Sequence, residues 1–195
     1  LNDLPRIRFL ILVINSGFDL TLLDWQRVVR QAECPVWLDV HSLVLTPELH
    51  RPRRYRSLPE WQDWAKGVTY LQANQKEVAA MLGEPERFPS RERLNHFAET
   101  ALDLGLKGVF VTLGSEGVVV MTAESTRRVA SPRAGEVVDT TGCGDIFCAG
   151  TAALLARGAD PVEAAGFGVE LASEAAGVSG IEQTHDLIRK RLFRA

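Results

Sequence analysis

The chain has 195 residues, 46% of them hydrophobic and 24% charged, with a formal net charge of −3. This is the composition of a folded globular protein and excludes disorder on compositional grounds. With no global basic field, nucleic acid is not an expected partner, and the longest apolar run, residues 9–14, is far too short to cross a bilayer.

The pattern alternates short apolar runs with amphipathic stretches. Residues 9–14 (FLILVI) read as a strand buried on both faces. Residues 19–32 read as a helix with Leu20, Leu23, Val28 and Val29 as core positions. After Pro35, residues 36–40 (VWLDV) form a second buried strand ending near Asp39 and His41, where His41 reads as a loop residue. Residues 41–59 carry Pro47, Pro52 and Pro59 and read as a loop with one helical turn. A third strand is expected at 68–72 and a helix at 74–82, closed by Gly83 and Pro85. Ser90 is an N-cap for a helix over 91–104, with Arg93 where a capping box would place Glu.

Residues 108–113 form a fourth strand, and 117–122 with 127–130 a hairpin. Helices follow at 145–157, from Pro161 to about residue 176, and at 186–193. The basic runs at 51–56 and 189–194 read as solvated faces. Trp25, Trp37, Trp61 and Trp64 read as core or rim aromatics, with a sugar platform open for Trp61 and Trp64. Buried strands alternating with helices predict an α/β fold with a mainly parallel sheet, whose ligands sit at the carboxyl ends of the strands.

Three cysteines, Cys34, Cys143 and Cys148, make no disulfide framework and suit a reducing cytoplasm. No leader pattern is recognisable. The four histidines are scattered, without zinc-binding spacing. The chain opens at Leu1 directly into an apolar strand and is expected to be part of a longer protein.

The sharpest feature is residues 138–150, VDTTGCGDIFCAG. Gly142 and Gly144 flank Cys143 at the start of a helix, where free backbone N–H groups and the helix dipole favour an anion. Asp145 lies on the first turn. A carboxylate beside an anion site repels phosphate unless it serves to take a proton from a nucleophile attacking that phosphate. No lysine follows Gly144, so this is not a Walker A loop. Phe147 breaks a dinucleotide fingerprint, and Thr141 and Asp145 break a nucleophile elbow. A helix N-terminus lowers a thiol pKa, which leaves Cys143 as the nucleophile of a cysteine hydrolase as a distant reading. The alternative throughout is a tight helix-packing turn with Asp145 as dipole partner.

Residues 139–150 resemble the second signature of the PfkB/ribokinase family of carbohydrate and nucleoside kinases, with Cys143 where Ala or Gly is usual. Asn74-Gln75-Lys76-Glu77 resembles the family's Asn-x-x-Glu, and residues 112–117 its Thr-x-Gly-x-x-Gly. Residues 172–177 resemble its monovalent-cation loop. Four patterns in this order are highly specific.

The resemblance implies a three-layer α/β/α ribokinase-like fold over residues 1–195, a single domain without the N-terminal portion that carries the lid and the first signature. It implies Asp145 as general base and the backbone of Gly142, Cys143 and Gly144 as anion hole. Thr112, Gly114 and Gly117 would line ATP. Asn74 and Glu77 would hold the water shell of Mg2+, although a plain capping box fits their spacing equally well. A plain turn between strands fits Gly117 comparably well. Asp139 and Thr141, with carbonyls of Ala172, Ala175 and Gly177, would hold K+. The implied activity is γ-phosphate transfer to a hydroxyl of a sugar or nucleoside-like substrate, by a homodimer where the lid is present. The alternative is a nucleotide-binding or scaffold domain that lacks the substrate half.

Overall fold

The computed structural model describes residues 10–13, 20–46, 52–132 and 137–192. The chain divides into two compact units, Leu1–Val111 and Thr112–Ala195.

The first unit contains β1 (Leu10–Val13), α1 (Leu22–Gln31), β2 (Val36–Asp39), α2 (Trp61–Ala65), β3 (Tyr70–Asn74), α3 (Gln75–Met81), α4 (Arg91–Asp103) and β4 (Gly108–Thr112), which ends at the unit boundary. Its strands lie in the order β1-β2-β3-β4. β2 pairs in parallel with both β1 and β3, with Leu38 opposite Leu12 and Leu71. All four residues of β2 are buried, as a strand covered on both faces requires. Residues 9 and 14 of the expected first strand lie outside the described residues.

The side chain of Thr21 caps α1 by accepting the Asp24 N–H. The buried stripe of α1 runs through Trp25 and Val29. Leu23, expected in the core, is 54% exposed, because the helix turns its 25/29 face inward. Trp25 is fully buried and its Nε1 donates to the Trp64 carbonyl at 2.6 Å, so the indole gains apolar contact without losing its hydrogen bond. Trp37 stacks on Phe110 with centroids 4.8 Å apart. Trp61 and Trp64 lie on the unexpected five-residue helix α2 and are buried, so neither is a sugar platform. A helix that short gives no periodicity to read. The third strand begins two residues later than expected, because residues 65–68 turn through Gly67 at φ +79°.

The second unit holds the antiparallel hairpin β5 (Val118–Met121) and β6 (Thr126–Val129), then α5 (Cys143–Leu155), α6 (Pro161–Ala175) and α7 (Ile181–Leu192). Helix α5 starts at Cys143, not Asp145, because Gly142 at φ +77° already caps it. Helix α7 starts at residue 181, not 186, just after Gly180 at φ +81°. Ile146, Leu171 and Ala175 form a core against Phe167, Leu187 and Ile188.

Parts of the basic runs are braces rather than solvated faces. Arg53 donates to the Thr46 carbonyl and Arg56 to that of Leu43. Arg191 pairs with Glu170 and Glu174 of α6 and lies 5.8 Å from the Phe167 ring centroid. Among the described residues no helix is long and apolar enough to cross a membrane.

Helices α5 and α6 approach at small residues. A Cβ on Gly168 would strike Thr151 Oγ1 and come within 2.7 Å of the Phe147 carbonyl oxygen, whereas one on Gly166 of the same helix meets nothing. Gly168→Ala therefore lowers stability by about 1–3 kcal/mol through overpacking. Gly166→Ala raises it by about 0.5–1 kcal/mol through backbone entropy. Urea unfolding of the two variants checks the opposed signs.

Candidate active site

The site in the second unit is built on the segment entering α5. The N–H groups of Val138 and Asp139 both donate to the carbonyl of Ala176, the C-cap of α6, at 2.8 and 3.2 Å. The Asp139 carboxylate accepts the Thr141 N–H at 2.8 Å, closing an Asx turn. That backbone bond holds the Asp139 carboxyl below the usual range. The turn delivers Gly142, which takes the left-handed conformation that glycine alone adopts at little cost. A Cβ there would also lie 3.9 Å from Asp145 Oδ2, so the absent side chain leaves room above the carboxylate.

Of the three amides expected to form an anion hole, that of Cys143 donates to the Thr140 carbonyl at 3.2 Å and would share its proton with a bound anion. Gly144 and Asp145 are exposed on the first turn of α5. The Cys143 thiol donates to the Ala172 carbonyl at 3.6 Å. Burial, and then the charge of Asp139, push this thiol up. That corrects the expectation of a thiol activated by the helix dipole and removes the support for a cysteine nucleophile.

Thr112 ends β4 and leads into a 3-10 turn, Gly114–Glu116. The Leu113 N–H donates to the Gly117 carbonyl at 2.8 Å. Gly114 and Gly117 have φ of +61° and +96°. A Cβ on Gly117 would run into the Val129 carbonyl oxygen and stand 2.7 Å from Ser131 N, so this glycine marks a close backbone approach rather than an ordinary turn.

These segments open onto a cleft of about 660 Å3. It brings Thr112, Gly114, Gly117, Cys143, Gly144 and Ala172 together. Asp145, Gly142, Asp139, Thr141, Ala175 and Gly177 are not among its lining residues. Val169, Ala172, Ser173 and Ala176 also line it, and only Ala172 was expected. Their i, i+3, i+4, i+7 spacing on one helical face was the available signal.

In the first unit, Asn74 and Glu77 form a complete capping box. Asn74 Oδ1 accepts the Glu77 N–H at 2.9 Å and Glu77 Oε2 accepts the Asn74 N–H at 2.6 Å. Glu77 is 3% exposed. Its Oε1 lies 3.2 Å from His41 Nδ1. His41 begins a 3-10 turn rather than a loop, held by its N–H donating to buried Asp39, whose other oxygen accepts from Gln72. The Tyr55 hydroxyl bonds Asn74, and burial, reinforced by the charge of Glu77, pushes its pKa up. Among the described residues no group of three His, Cys, Asp or Glu side chains could hold a metal ion.

Residues 44–186 match the model of the pfkB family carbohydrate kinases. The chain belongs to this family. It is 29% identical to a ribokinase of Arabidopsis thaliana over 156 residues, which cover 79% of this chain and 37% of that one. The structure of an Arabidopsis thaliana ribokinase complexed with ribose and ATP superposes with a TM-score of 0.69 at 23% identity, covering 94% of this chain and 55% of that one. Phosphofructokinase-2 from Escherichia coli in complex with potassium gives 0.70 at 19% identity, covering 95% and 56%. The fold is therefore the ribokinase-like α/β fold. The chain spans only about a third to just over half of the length of these relatives.

Two outcomes follow from the local geometry. Gly117→Ala destabilises by about 1–3 kcal/mol or more, since both the φ and the contact oppose a Cβ, as thermal or urea unfolding would register. Asp139→Asn keeps the acceptor of the Asx turn and removes the charge that raises the Cys143 thiol. Alkylation of Cys143, followed by peptide mass spectrometry, then quickens only in part, because burial is the larger cause and remains.

Proposed function

We propose that this chain is the nucleotide-binding and phosphoryl-transfer portion of an ATP-dependent kinase that acts on a hydroxyl of a sugar or nucleoside-like substrate. The observation that carries the reading is the glycine-capped start of α5, with Cys143 and Gly144 on the same cleft as Thr112, Gly114 and Gly117 and Asp145 exposed at the next position. The family membership, and a match running unbroken over residues 44–186, support both the activity and the treatment of the two units as one domain.

In the reaction, the carboxylate of Asp145 takes the proton of the substrate hydroxyl as that oxygen bonds to the γ-phosphorus. The bond from the γ-phosphorus to the bridging oxygen breaks and ADP leaves. Amides at 142–144 stabilise charge on the transferring group. Thr112, Gly114 and Gly117 cradle the nucleotide.

Among the described residues each Glu77 oxygen is engaged once, so Asn74 and Glu77 suit an outer-shell role toward hydrated Mg2+. A bound Mg2+ would supply charge neutralisation. For K+, the Ala172 carbonyl already accepts the Ala176 N–H and the Cys143 thiol. The donor set is thereby narrowed to Asp139, Thr141 and the carbonyls of Ala175 and Gly177. The three free thiols support a reducing, cytoplasmic setting. The second reading is a nucleotide-binding or scaffold domain without transfer activity.

The test incubates the chain with radiolabelled ATP and a panel of sugars and nucleosides, beside Asp145→Asn. Phosphorylated acceptor is expected, reduced about 10^2–10^4-fold by the substitution, with ATP affinity within about two-fold. Full turnover by Asp145→Asn overturns its assignment as base. ATP binding without any product favours the scaffold reading.

A further inference from the structure

A capping box is complete in itself, because Asn74 and Glu77 each accept the other's backbone N–H. Here two more side chains, both from the segment between β2 and α2, reach the same pair. His41 Nδ1 lies 3.2 Å from Glu77 Oε1, and the Tyr55 hydroxyl bonds the Asn74 side chain. The start of α3 requires neither of them.

Both residues are held by devices of their own. The His41 N–H donates to the buried Asp39 carboxylate at 3.0 Å, and the other oxygen of Asp39 accepts from Gln72 of β3 at 3.0 Å. Tyr55 lies opposite Leu45 in an antiparallel bridge. On either side of that bridge the Thr46 N–H donates to the Arg54 carbonyl and the Arg56 N–H to the Val44 carbonyl, at 2.9 and 2.8 Å. Arg53 ties the same strip of chain to the hydroxyl and carbonyl of Ser42.

The Glu77 side chain is 4% exposed, whereas that of His41 against it is 56% exposed. One Glu77 oxygen is held by the Asn74 N–H at 2.6 Å, and the imidazole stands against the other. Contacts on both oxygens fix the plane of the carboxylate. With the Asn74 N–H alone, the carboxylate could pivot about that one bond. Groups that order the water shell of an ion do so only as well as they are themselves oriented, and loss of an orienting partner typically lowers metal affinity by about 10–100-fold.

We infer that His41 and Tyr55 are positioning residues, which fix the Asn74–Glu77 pair in the orientation that orders the water shell of Mg2+ and so set the affinity for the metal–nucleotide complex. The inference rests on the reading of Asn74 and Glu77 as outer-shell groups toward that ion.

Calorimetric titration with a non-hydrolysable ATP analogue, at a series of Mg2+ concentrations and again in EDTA, tests it. The readout is the Mg2+ concentration that gives half of the metal-dependent gain in affinity. His41→Ala raises this concentration by about ten-fold or more, while affinity in EDTA is unchanged. His41→Asn, whose amide can donate or accept near the place of Nδ1, restores most of the loss. Tyr55→Phe keeps the ring, removes the hydroxyl and shifts the value in the same direction. An unchanged Mg2+ requirement in both His41→Ala and Tyr55→Phe overturns the inference, and a shift in one alone removes the other residue from it. A loss in EDTA as large as that in Mg2+ marks a merely structural role and overturns it as well. Binding by the unsubstituted chain that is absent, or indifferent to Mg2+, overturns the underlying outer-shell reading and this inference together.

Discussion

The carbonyl of Ala176 accepts two backbone N–H groups, those of Val138 and Asp139, and the arrangement of the site follows from that junction. Helix α6 ends there, so a carbonyl that would otherwise face water is used to pin the segment entering α5. The Asx turn of Asp139 then directs the chain into Gly142, and Gly142 starts the helix without a side-chain cap. The start of α5 is thus set by backbone geometry, with the Cys143 N–H donating to the Thr140 carbonyl. Close approach of α5 and α6 through Gly150 and Gly168 holds the two helix ends in that relation. Any bulk added between the helices would be felt at the cleft, because packed interiors transmit displacement rather than absorb it.

A second constraint operates in the first unit. Glu77 is buried with its carboxylate fixed by the Asn74 amide and the His41 imidazole, and Asp39 is buried with its carboxylate fixed by His41 and Gln72. Buried charges are tolerated only when hydrogen-bonded in this way. The functional and structural readings of Asn-x-x-Glu are not exclusive. The same carboxylate completes the capping box and is the one the proposed chemistry would use, so the local fold preorganises it.

Much of this was legible in the sequence where a residue type is forced. The glycines flanking Cys143 made a helix after them readable, although it begins at Cys143, two residues before the expected start. The four-residue buried strand β2 and the hairpin of β5 and β6 were likewise readable from period and turn spacing. What escaped had physical reasons. Helix α2 is five residues long and owes its existence to Trp61 and Trp64 being drawn into the core. Leu23 was placed inside because one apolar residue looks like another until Trp25 sets the phase of the helix. The spacing of Val169, Ala172, Ser173 and Ala176 marked one face of α6, but not that this face lines a cleft, since its partners come from distant parts of the chain. Arg53, Arg56 and Arg191 looked like surface charge because backbone carbonyl acceptors and a neighbouring helix are invisible in sequence.

The central claim is that the first turn of α5 and the glycine turn after β4 bind one nucleotide. Amide chemical shifts recorded by NMR during titration with MgADP test it residue by residue. The account predicts saturable shifts at Gly114, Gly117, Cys143, Gly144 and Asp145, together with Val169 and Ser173 on the cleft face of α6. Shifts confined to other regions, or none at saturating nucleotide, would contradict it.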